Sequence, residues 1–354
     1  METAPGRRLP RRPFLVCSPV TNIAAAQMLT YLAFAVTVFL PLYFVYHGWT
    51  ARFDTMAAWG VNTANGLAAL VLVIVIGRGD MAGGSLRYAL YALYALALIG
   101  SWVRVSGAPV YPDGGIPLSW GAVGDAVAIL VVLGWGLLGF WPDRAPVELT
   151  VPLQGEDYYV VQGGGTYPIN YHGLFASAQR YALDVVQLND WGLRANGIHP
   201  DRLSAYEIYG EPVYSPLTGT VVDTADHVLD LTPGERMPEH PAGNHVWLRR
   251  DSLYVVLAHL KAGSVQVTPG ERVRLGEHLA AVGNSGNTTE PHLHVHAVTL
   301  SPGATPDPDS LLGRGTPVPL ALGGRFLTRN DRFMQTRLPG PGGNPSPSTA
   351  RAAQ

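Results

Sequence analysis

The sequence predicts an α+β protein, with an N-terminal bundle of about four transmembrane helices followed by a mainly antiparallel β domain. Two observations lead to this prediction. Residues 1–142 contain long apolar runs and no lysine, whereas residues 145–335 carry most of the charge and nearly all of the histidines. The length of 354 residues is sufficient for two parts of this kind.

The change in composition divides the chain into four segments. Residues 1–20 form a basic tail, and residues 21–142 form the transmembrane helical region. Residues 145–335 form the β domain. Residues 339–354 are rich in proline, glycine and serine, a composition that predicts a disordered tail.

Four apolar stretches predict the helices of the N-terminal region. Each is long enough to cross a hydrocarbon core of ~30 Å. The stretches are Ile23–Tyr46, Ala57–Gly77, Leu86–Val103 and Trp120–Trp141. A single stretch could be a buried core helix, but four in series with short connections indicate an integral membrane protein. The lipid bilayer is therefore an expected partner.

Charge and cysteine content exclude several classes of function. The formal net charge is −2, so the chain lacks the basic character that tracks phosphates, and we expect no nucleic-acid partner. Cys17 is the single cysteine, which excludes an intrachain disulfide and a cysteine zinc cluster. Any metal must therefore be bound by histidine, aspartate or glutamate.

Short apolar or alternating runs, separated by glycine and proline turn signals, predict the strands of the β domain. The predicted strands are Tyr158–Val161, Tyr181–Val186, Gly219–Val222, His245–Arg249, Tyr254–Leu260 and Leu279–Val282. No long helical period interrupts them in the sequence. The domain is therefore expected to be all β or nearly so.

The run from Glu290 to His296 indicates metal chemistry on an extended segment. Residues two apart on a strand project to the same face, so His292 and His294 point together and His296 extends the row. Two imidazoles on one face suit a zinc site, one as a ligand and one as a neighbouring acid or base.

Four landmarks occur in a fixed order along the β domain. They are Asp184 in a strand, Gly210–Pro216 with Gly219–Val221, Ala258–Leu260, and Gly283–Gly286 leading to Pro291–His294. Together they resemble the lysostaphin-type (LytM-like) zinc metalloendopeptidases, which cut peptide cross-links in bacterial cell wall. The resemblance covers residues 155–298 and implies the family's duplicated hybrid-motif fold.

The resemblance also implies roles for individual residues. Asp184 and His294 correspond to ligands of a Zn²⁺ ion, and His259 and His292 correspond to the catalytic pair that flanks the metal-bound water. The implied activity is metal-assisted hydrolysis of peptide bonds in peptidoglycan cross-links by a membrane-anchored enzyme.

The family's first ligand motif is broken in this chain. HxxxD ending at Asp184 requires histidine at position 180, where this chain has Arg180, whose guanidinium offers no lone pair to a metal. In one interpretation, His172 supplies the missing ligand from the small-residue loop before the strand. In the other, the ligand set is incomplete, and the domain is a catalytically inactive module that binds cell wall or regulates a wall hydrolase.

Two further side chains are candidates for contact with the ligands rather than the metal. Arg180 shares the predicted strand face of Asp184, which favours a salt bridge or hydrogen bond between them. His296 continues the histidine row, and the sequence leaves open whether it is a hydrogen-bonding partner of the site or has a surface or packing role.

The side of the membrane is predicted differently by two features. Arg7, Arg8, Arg11 and Arg12 precede the first stretch and favour a cytoplasmic N-terminus, so four spans would return the β domain to the cytoplasm. The family resemblance implies instead a protein of the bacterial cell membrane whose peptidase domain lies outside the cytoplasm, where peptidoglycan is found.

Overall fold

A computed structural model describes residues 19–111, 120–301, 303–307 and 309–335. Over these residues the chain is α+β with mainly antiparallel sheets, as the sequence predicts. Most of the predicted basic tail and the whole of the predicted disordered tail lie outside the described residues.

Each of the four apolar stretches corresponds to a helix, although the second and fourth stretches extend past the helix ends at Ile76 and Leu138. The helices of this region are α1 (Pro19–Thr50), α2 (Met56–Ile76), α3 (Gly79–Ala82), α4 (Gly84–Val105) and α5 (Trp120–Leu138). Within the described residues, two of them, α2 and α4, are long and apolar enough to cross a membrane. Val123–Leu138 in α5 forms a shorter apolar helix. Helix α1 packs on α4, and α2 packs on α5.

Fourteen strands are described in the β domain, together with one short helix and three further helical turns. The strands are β1 (Val147–Leu149), β2 (Gly155–Gln162), β3 (Leu183–Gln187), β4 (Pro212–Tyr214), β5 (Gly219–Ala225), β6 (Asn244–Arg250), β7 (Leu253–Leu260), β8 (Arg272–Val273), β9 (His278–Ala281), β10 (Leu293–Thr299), β11 (Thr316–Val318), β12 (Leu320–Leu322), β13 (Arg325–Phe326) and β14 (Arg332–Gln335). Helix α6 spans His172–Phe175, and the turns are Ser177–Gln179, Leu203–Ala205 and Asp309–Arg314.

The main sheet has nine strands in the order β14-β2-β3-β10-β7-β6-β5-β8, with β11 paired to β10. All of its pairings are antiparallel. A three-stranded sheet, β1-β12-β13, contains the parallel pair β1–β12, and β4 pairs with β9 separately. Strand β10 therefore lies in the interior of the main sheet, with β3 on one side and β7 on the other.

Alternation along β10 separates the core from the histidine row. Leu293, Val295 and Ala297 point into the main hydrophobic core. His294 and His296 are buried on the opposite face, as the period of two requires. The register places His294 opposite Asp184 of β3 and opposite Ala258 of β7.

The helical region and the β domain are in direct contact. Asn330 Nδ2 donates to the Ile74 carbonyl at 2.7 Å, and Arg329 Nη1 donates to the Ile76 carbonyl at 3.2 Å, so the β domain caps the end of α2. The ring of Tyr31 in α1 lies 6.3 Å from the ring of His199. The first half of α1 and the end of α2 therefore lie beside the β domain.

Candidate metal centre

Asp184 and His294 face each other across neighbouring strands. His294 Nδ1 lies 2.9 Å from Asp184 Oδ1. Both side chains are buried, because they lie on the interior strands β3 and β10. The antiparallel register of β3 and β10 places these two residues directly opposite each other.

His172 approaches the same carboxylate from helix α6, outside the sheet. Its Nε2 lies 3.3 Å from Asp184 Oδ2, and its ring centroid lies 4.9 Å from that of His294. The structure therefore places this loop histidine beside both Asp184 and His294.

Asn170 holds the backbone that presents His172. Its Oδ1 lies 3.2 Å from the His172 backbone N–H, an Asx-type turn, and 3.0 Å from His172 Nδ1. The Nδ2 of this buried asparagine donates to three backbone carbonyls, those of Gly164, Arg180 and Ala182. Asn170 was not predicted as a site residue, although an asparagine two residues before a candidate ligand is a recognisable turn signal.

His259 and His292 form a second group beside the first. Their ring centroids are 4.9 Å apart, and His292 Nε2 lies 3.4 Å from Asp184 Oδ1. His259, the next-to-last residue of strand β7, has a φ of 61°, a left-handed conformation that is uncommon for residues other than glycine and often marks functional sites. The Ser285 carbonyl contacts the ring of His259, so the landmarks Ala258–Leu260 and Gly283–Gly286 lie together in the fold.

Hydrogen-bond partners assign the proton on each ring. His259 Nδ1 lies 2.9 Å from the Ser285 carbonyl and His292 Nδ1 lies 2.8 Å from the Glu290 carbonyl, so both rings donate from Nδ1. His172 likewise donates from Nδ1 to Asn170. All three rings therefore present the lone pair of Nε2 towards the site.

His294 has the opposite tautomer, because His296 orients it. His296 Nε2 donates to the Leu311 carbonyl at 3.0 Å, which leaves its Nδ1 to accept from His294 Nε2 at 2.8 Å. The Nδ1 of His294 that faces Asp184 is then a lone pair. His296 therefore orients His294 through a hydrogen bond.

The atoms that converge on Asp184 suit a cation. The ring nitrogens of His172 and His294 and a carboxylate oxygen of Asp184 lie within 4.8 Å of one another, and so do ring nitrogens of His259, His292 and His294. Lone pairs that face a carboxylate repel it unless a positive charge lies between them. Two imidazoles and a carboxylate are a ligand set that zinc accepts, with a coordination position left for water.

Electrostatics favour the protonation states of Asp184, His259 and His294 that a metal ligand needs. Burial would raise the pKa of Asp184, but the positive charge that His172 and His292 carry when both ring nitrogens are protonated outweighs burial and holds the pKa well below its usual range. Burial lowers the pKa of His294 to about 4 and is also the main reason that the pKa of His259 lies well below its usual range. At neutral pH the carboxylate is therefore ionised, and these two imidazoles are neutral.

The expected contact between Arg180 and Asp184 is wrong. Arg180 Nη1 pairs with Asp143 Oδ2 at 2.8 Å, and its Nε donates to the Gly165 carbonyl at 3.0 Å. The reason is that strand β3 begins only at Leu183, after the helical turn Ser177–Gln179. The two-residue alternation that placed Arg180 on the face of Asp184 does not extend back to position 180.

Known proteins are similar to the part of the chain that contains His259, His292 and His294. Residues 204–304 match Peptidase family M23, a region that contains His259, His292 and His294 but begins after Asp184. The chain is 28% identical over 145 residues to the peptidoglycan DD-endopeptidase ShyA of Vibrio cholerae. That match covers 40% of this chain and 31% of the relative, so the chain spans about a third of the relative's length.

Two solved structures are similar to part of this chain. A zinc-containing peptidase from Vibrio cholerae is 27% identical, with 32% of this chain and 26% of that chain covered and a TM-score of 0.22. The catalytic domain of lysostaphin from Staphylococcus simulans is 22% identical, with 29% and 71% covered and a TM-score of 0.21. The likeness to peptidase family M23 is therefore shown over residues 204–304 of this chain.

Proposed function

We propose that this chain is a membrane-anchored zinc metalloendopeptidase that hydrolyses peptide bonds in peptidoglycan cross-links. The observation that carries the proposal is the convergence of imidazole lone pairs on the ionised carboxylate of Asp184. His172 Nε2, Asp184 and His294 Nδ1 would hold the zinc ion. This set contains the His/Asp/His ligands of the family, with the first histidine supplied by α6 instead of position 180.

The donor chemistry of each ligand supports this assignment. Both histidines have their other ring nitrogen engaged, His172 with Asn170 and His294 with His296. Such partners fix the tautomer and the ring orientation of a metal ligand. A ring fixed in this way binds a metal without first breaking a hydrogen bond to the site.

The catalytic work falls to His259 and His292. Zinc, when bound, supplies a Lewis acid that polarises the scissile carbonyl and makes water more acidic. His259 is neutral at pH 7, so its Nε2 can accept a proton from the attacking water. Burial would lower the pKa of His292, but Asp184 raises it, so a protonated His292 ring can donate from Nε2 to the developing oxyanion or to the leaving amine.

We further propose that the four long helices anchor the enzyme as four spans. Helix α2 has 21 residues, so it is ~32 Å long and matches a hydrocarbon core of ~30 Å. An even number of spans leaves the start of α1 and the β domain on one side of the membrane, which agrees with the contact between Tyr31 and His199. We propose that this side is extracytoplasmic, because the substrate lies there.

Metal analysis and cleavage assays on the purified full-length chain test the function. We expect about one zinc per chain. His294→Ala should lose both zinc and cleavage of peptidoglycan, whereas His292→Ala should retain zinc and lose cleavage. His278→Ala is the matched control, because His278 lies on β9 and contacts Gln266 outside this cluster.

Two results would overturn the proposal. Full turnover by both the His294 and His292 variants would remove these residues from the chemistry. A wild-type chain that binds peptidoglycan without zinc and without cleavage would identify it as an inactive wall-binding module.

Reporter fusions at both termini test the topology. An enzyme that is active only outside the cytoplasm, such as alkaline phosphatase, should be active at both ends, and cytoplasmic fluorescence should be absent at both. Opposite signals at the two termini would exclude four spans, and a cytoplasmic signal at both would exclude peptidoglycan as the substrate.

A further inference from the structure

A buried cluster of four charged side chains joins the helical region to the β domain. Arg78 and Asp80 come from the connection between α2 and α4, and Arg194 and Glu290 come from loops of the β domain. The side chains of Asp80, Arg194 and Glu290 are 0%, 1% and 7% exposed. We refer to these four residues as the junction cluster.

The charges in the junction cluster alternate in sign and bind pairwise. Arg78 holds both oxygens of Asp80, at 2.8 and 2.6 Å, and its Nη2 also reaches Glu290 Oε1 at 2.6 Å. Arg194 takes the other carboxylate oxygen of Glu290 at 2.7 Å and lies 3.4 Å from Asp80. Each oxygen of Glu290 is therefore held by an arginine from a different part of the molecule.

Glu290 remains ionised in this environment. Burial would raise the pKa of its carboxyl, but Arg194 and Arg78 outweigh burial and hold the pKa well below its usual range. Loss of either arginine would leave buried charge without its partner, which is strongly unfavourable. The two arginines therefore restrain the position of Glu290.

The backbone of Glu290 continues this restraint into the proposed catalytic pair. Its carbonyl accepts from His292 Nδ1 at 2.8 Å and from Thr288 Oγ1 at 2.9 Å. Pro291, whose ring fixes φ, separates the two residues. A displacement of Glu290 would consequently turn or release the ring of His292.

We propose that Arg78 and Asp80 of the helical region are positioning residues for His292, acting through Glu290. This inference rests on the proposed peptidase function. It makes the connection between α2 and α4 part of the framework of the active site, so that the helices do more than anchor the domain.

An alternative role for the junction cluster is only to dock the helical region on the β domain. A variant of Asn330 distinguishes this docking role from the positioning of His292. Asn330 also joins the two regions, through hydrogen bonds to the carbonyls of Ile74 and Val75. Its φ is 70°, a conformation that glycine adopts readily, so Asn330→Gly removes these contacts without straining the backbone. This variant weakens docking and leaves Glu290 untouched.

Hydrogen–deuterium exchange and steady-state kinetics on the full-length chain in detergent test the inference. In Arg78→Ala we expect amide exchange in residues 284–293 to rise by ~10-fold or more and kcat to fall by ~10-fold or more, because small displacements of catalytic groups are costly. KM and zinc content should remain unchanged. Arg78→Lys should recover part of both losses, and Asn330→Gly should show neither.

Equal effects of Arg78→Ala and Asn330→Gly on kcat and on exchange in residues 284–293 would overturn the inference, as would an unchanged kcat in Arg78→Ala. If Arg78→Ala does not fold, the intermediate kcat and exchange expected of Arg78→Lys decide the question. A wild-type chain without zinc or cleavage would instead refute the proposed function, and the exchange data would still report whether Arg78 restrains this segment.

Discussion

His294 and His172 both face the carboxylate of Asp184, but they reach it from different kinds of backbone. His294 lies on an interior strand, where register and side-chain alternation determine its position. His172 lies on a four-residue helix outside the sheet and depends on the hydrogen bonds of one asparagine. In the proposed site, the sheet therefore positions one histidine ligand and a loop positions the other.

The most severe test of this comparison is the loss of the loop ligand. His172→Ala should lower the affinity for zinc by more than ~100-fold, because loss of a partner that merely orients a ligand already costs ~10–100-fold. Cleavage should fall below detection. Competition against a zinc-chelating dye measures the affinity, with His278→Ala as the control. Affinity within a few-fold of wild type would mean that the metal is held without His172.

The loop side should also be sensitive to Asn170. Asn170→Ala removes the partner of His172 Nδ1 and leaves three carbonyls without their donor. We expect zinc affinity to fall by ~10–100-fold, measured in the same competition assay. Asn189→Ala is the matched control, because Asn189 organises another loop by accepting from the Trp191 and Leu193 amides. An equal effect of both variants would show that loop order alone is responsible.

Acid should destabilise the metal-free protein through the buried histidines of strand β10. Burial lowers the pKa of His294 to about 4 and of His296 to about 3, whereas an unfolded histidine titrates near ~6.5. A depressed pKa contributes stability that is complete above ~6.5 and is lost as pH falls towards the folded values. His259 acts in the same direction, and His292, whose pKa is raised by Asp184 against the effect of burial, acts in the opposite one.

We therefore expect the free energy of unfolding of the protein, after a chelator has removed its metal, to fall by about 1 kcal/mol or more per pH unit below pH 6. Denaturant titrations at a series of pH values measure this slope. His296→Gln retains an acceptor and a donor but no titratable ring, so it should reduce the slope. A slope that is unchanged in His296→Gln would contradict the assignment of buried neutral rings.

The smallest effect is expected at Arg180. Its side chain contacts Asp143 and Gly165, so Arg180→Ala should change zinc affinity by less than about 2-fold. The same dye competition detects such a change. A large loss of zinc affinity would show that Arg180 contributes to the metal site. It would then contradict the description of the site as one strand histidine and one loop histidine facing Asp184.

Strand periodicity explains which parts of this arrangement could be predicted from sequence. His292, His294 and His296 follow a period of two, and the four apolar stretches are all helical, so both features could be recognised locally. The start of β3 could not, since the turn before Leu183 removed Arg180 from the predicted face. The junction cluster could not be predicted either, because Arg78 and Glu290 are 212 residues apart in the chain.

X-ray absorption at the zinc edge of the loaded full-length protein tests the central claim most directly. The account predicts a coordination shell with two imidazole rings, one carboxylate and a further light atom, and it predicts that His172→Ala lacks one imidazole or the metal itself. A wild-type shell with a single imidazole, or an identical shell in wild type and His172→Ala, would contradict it.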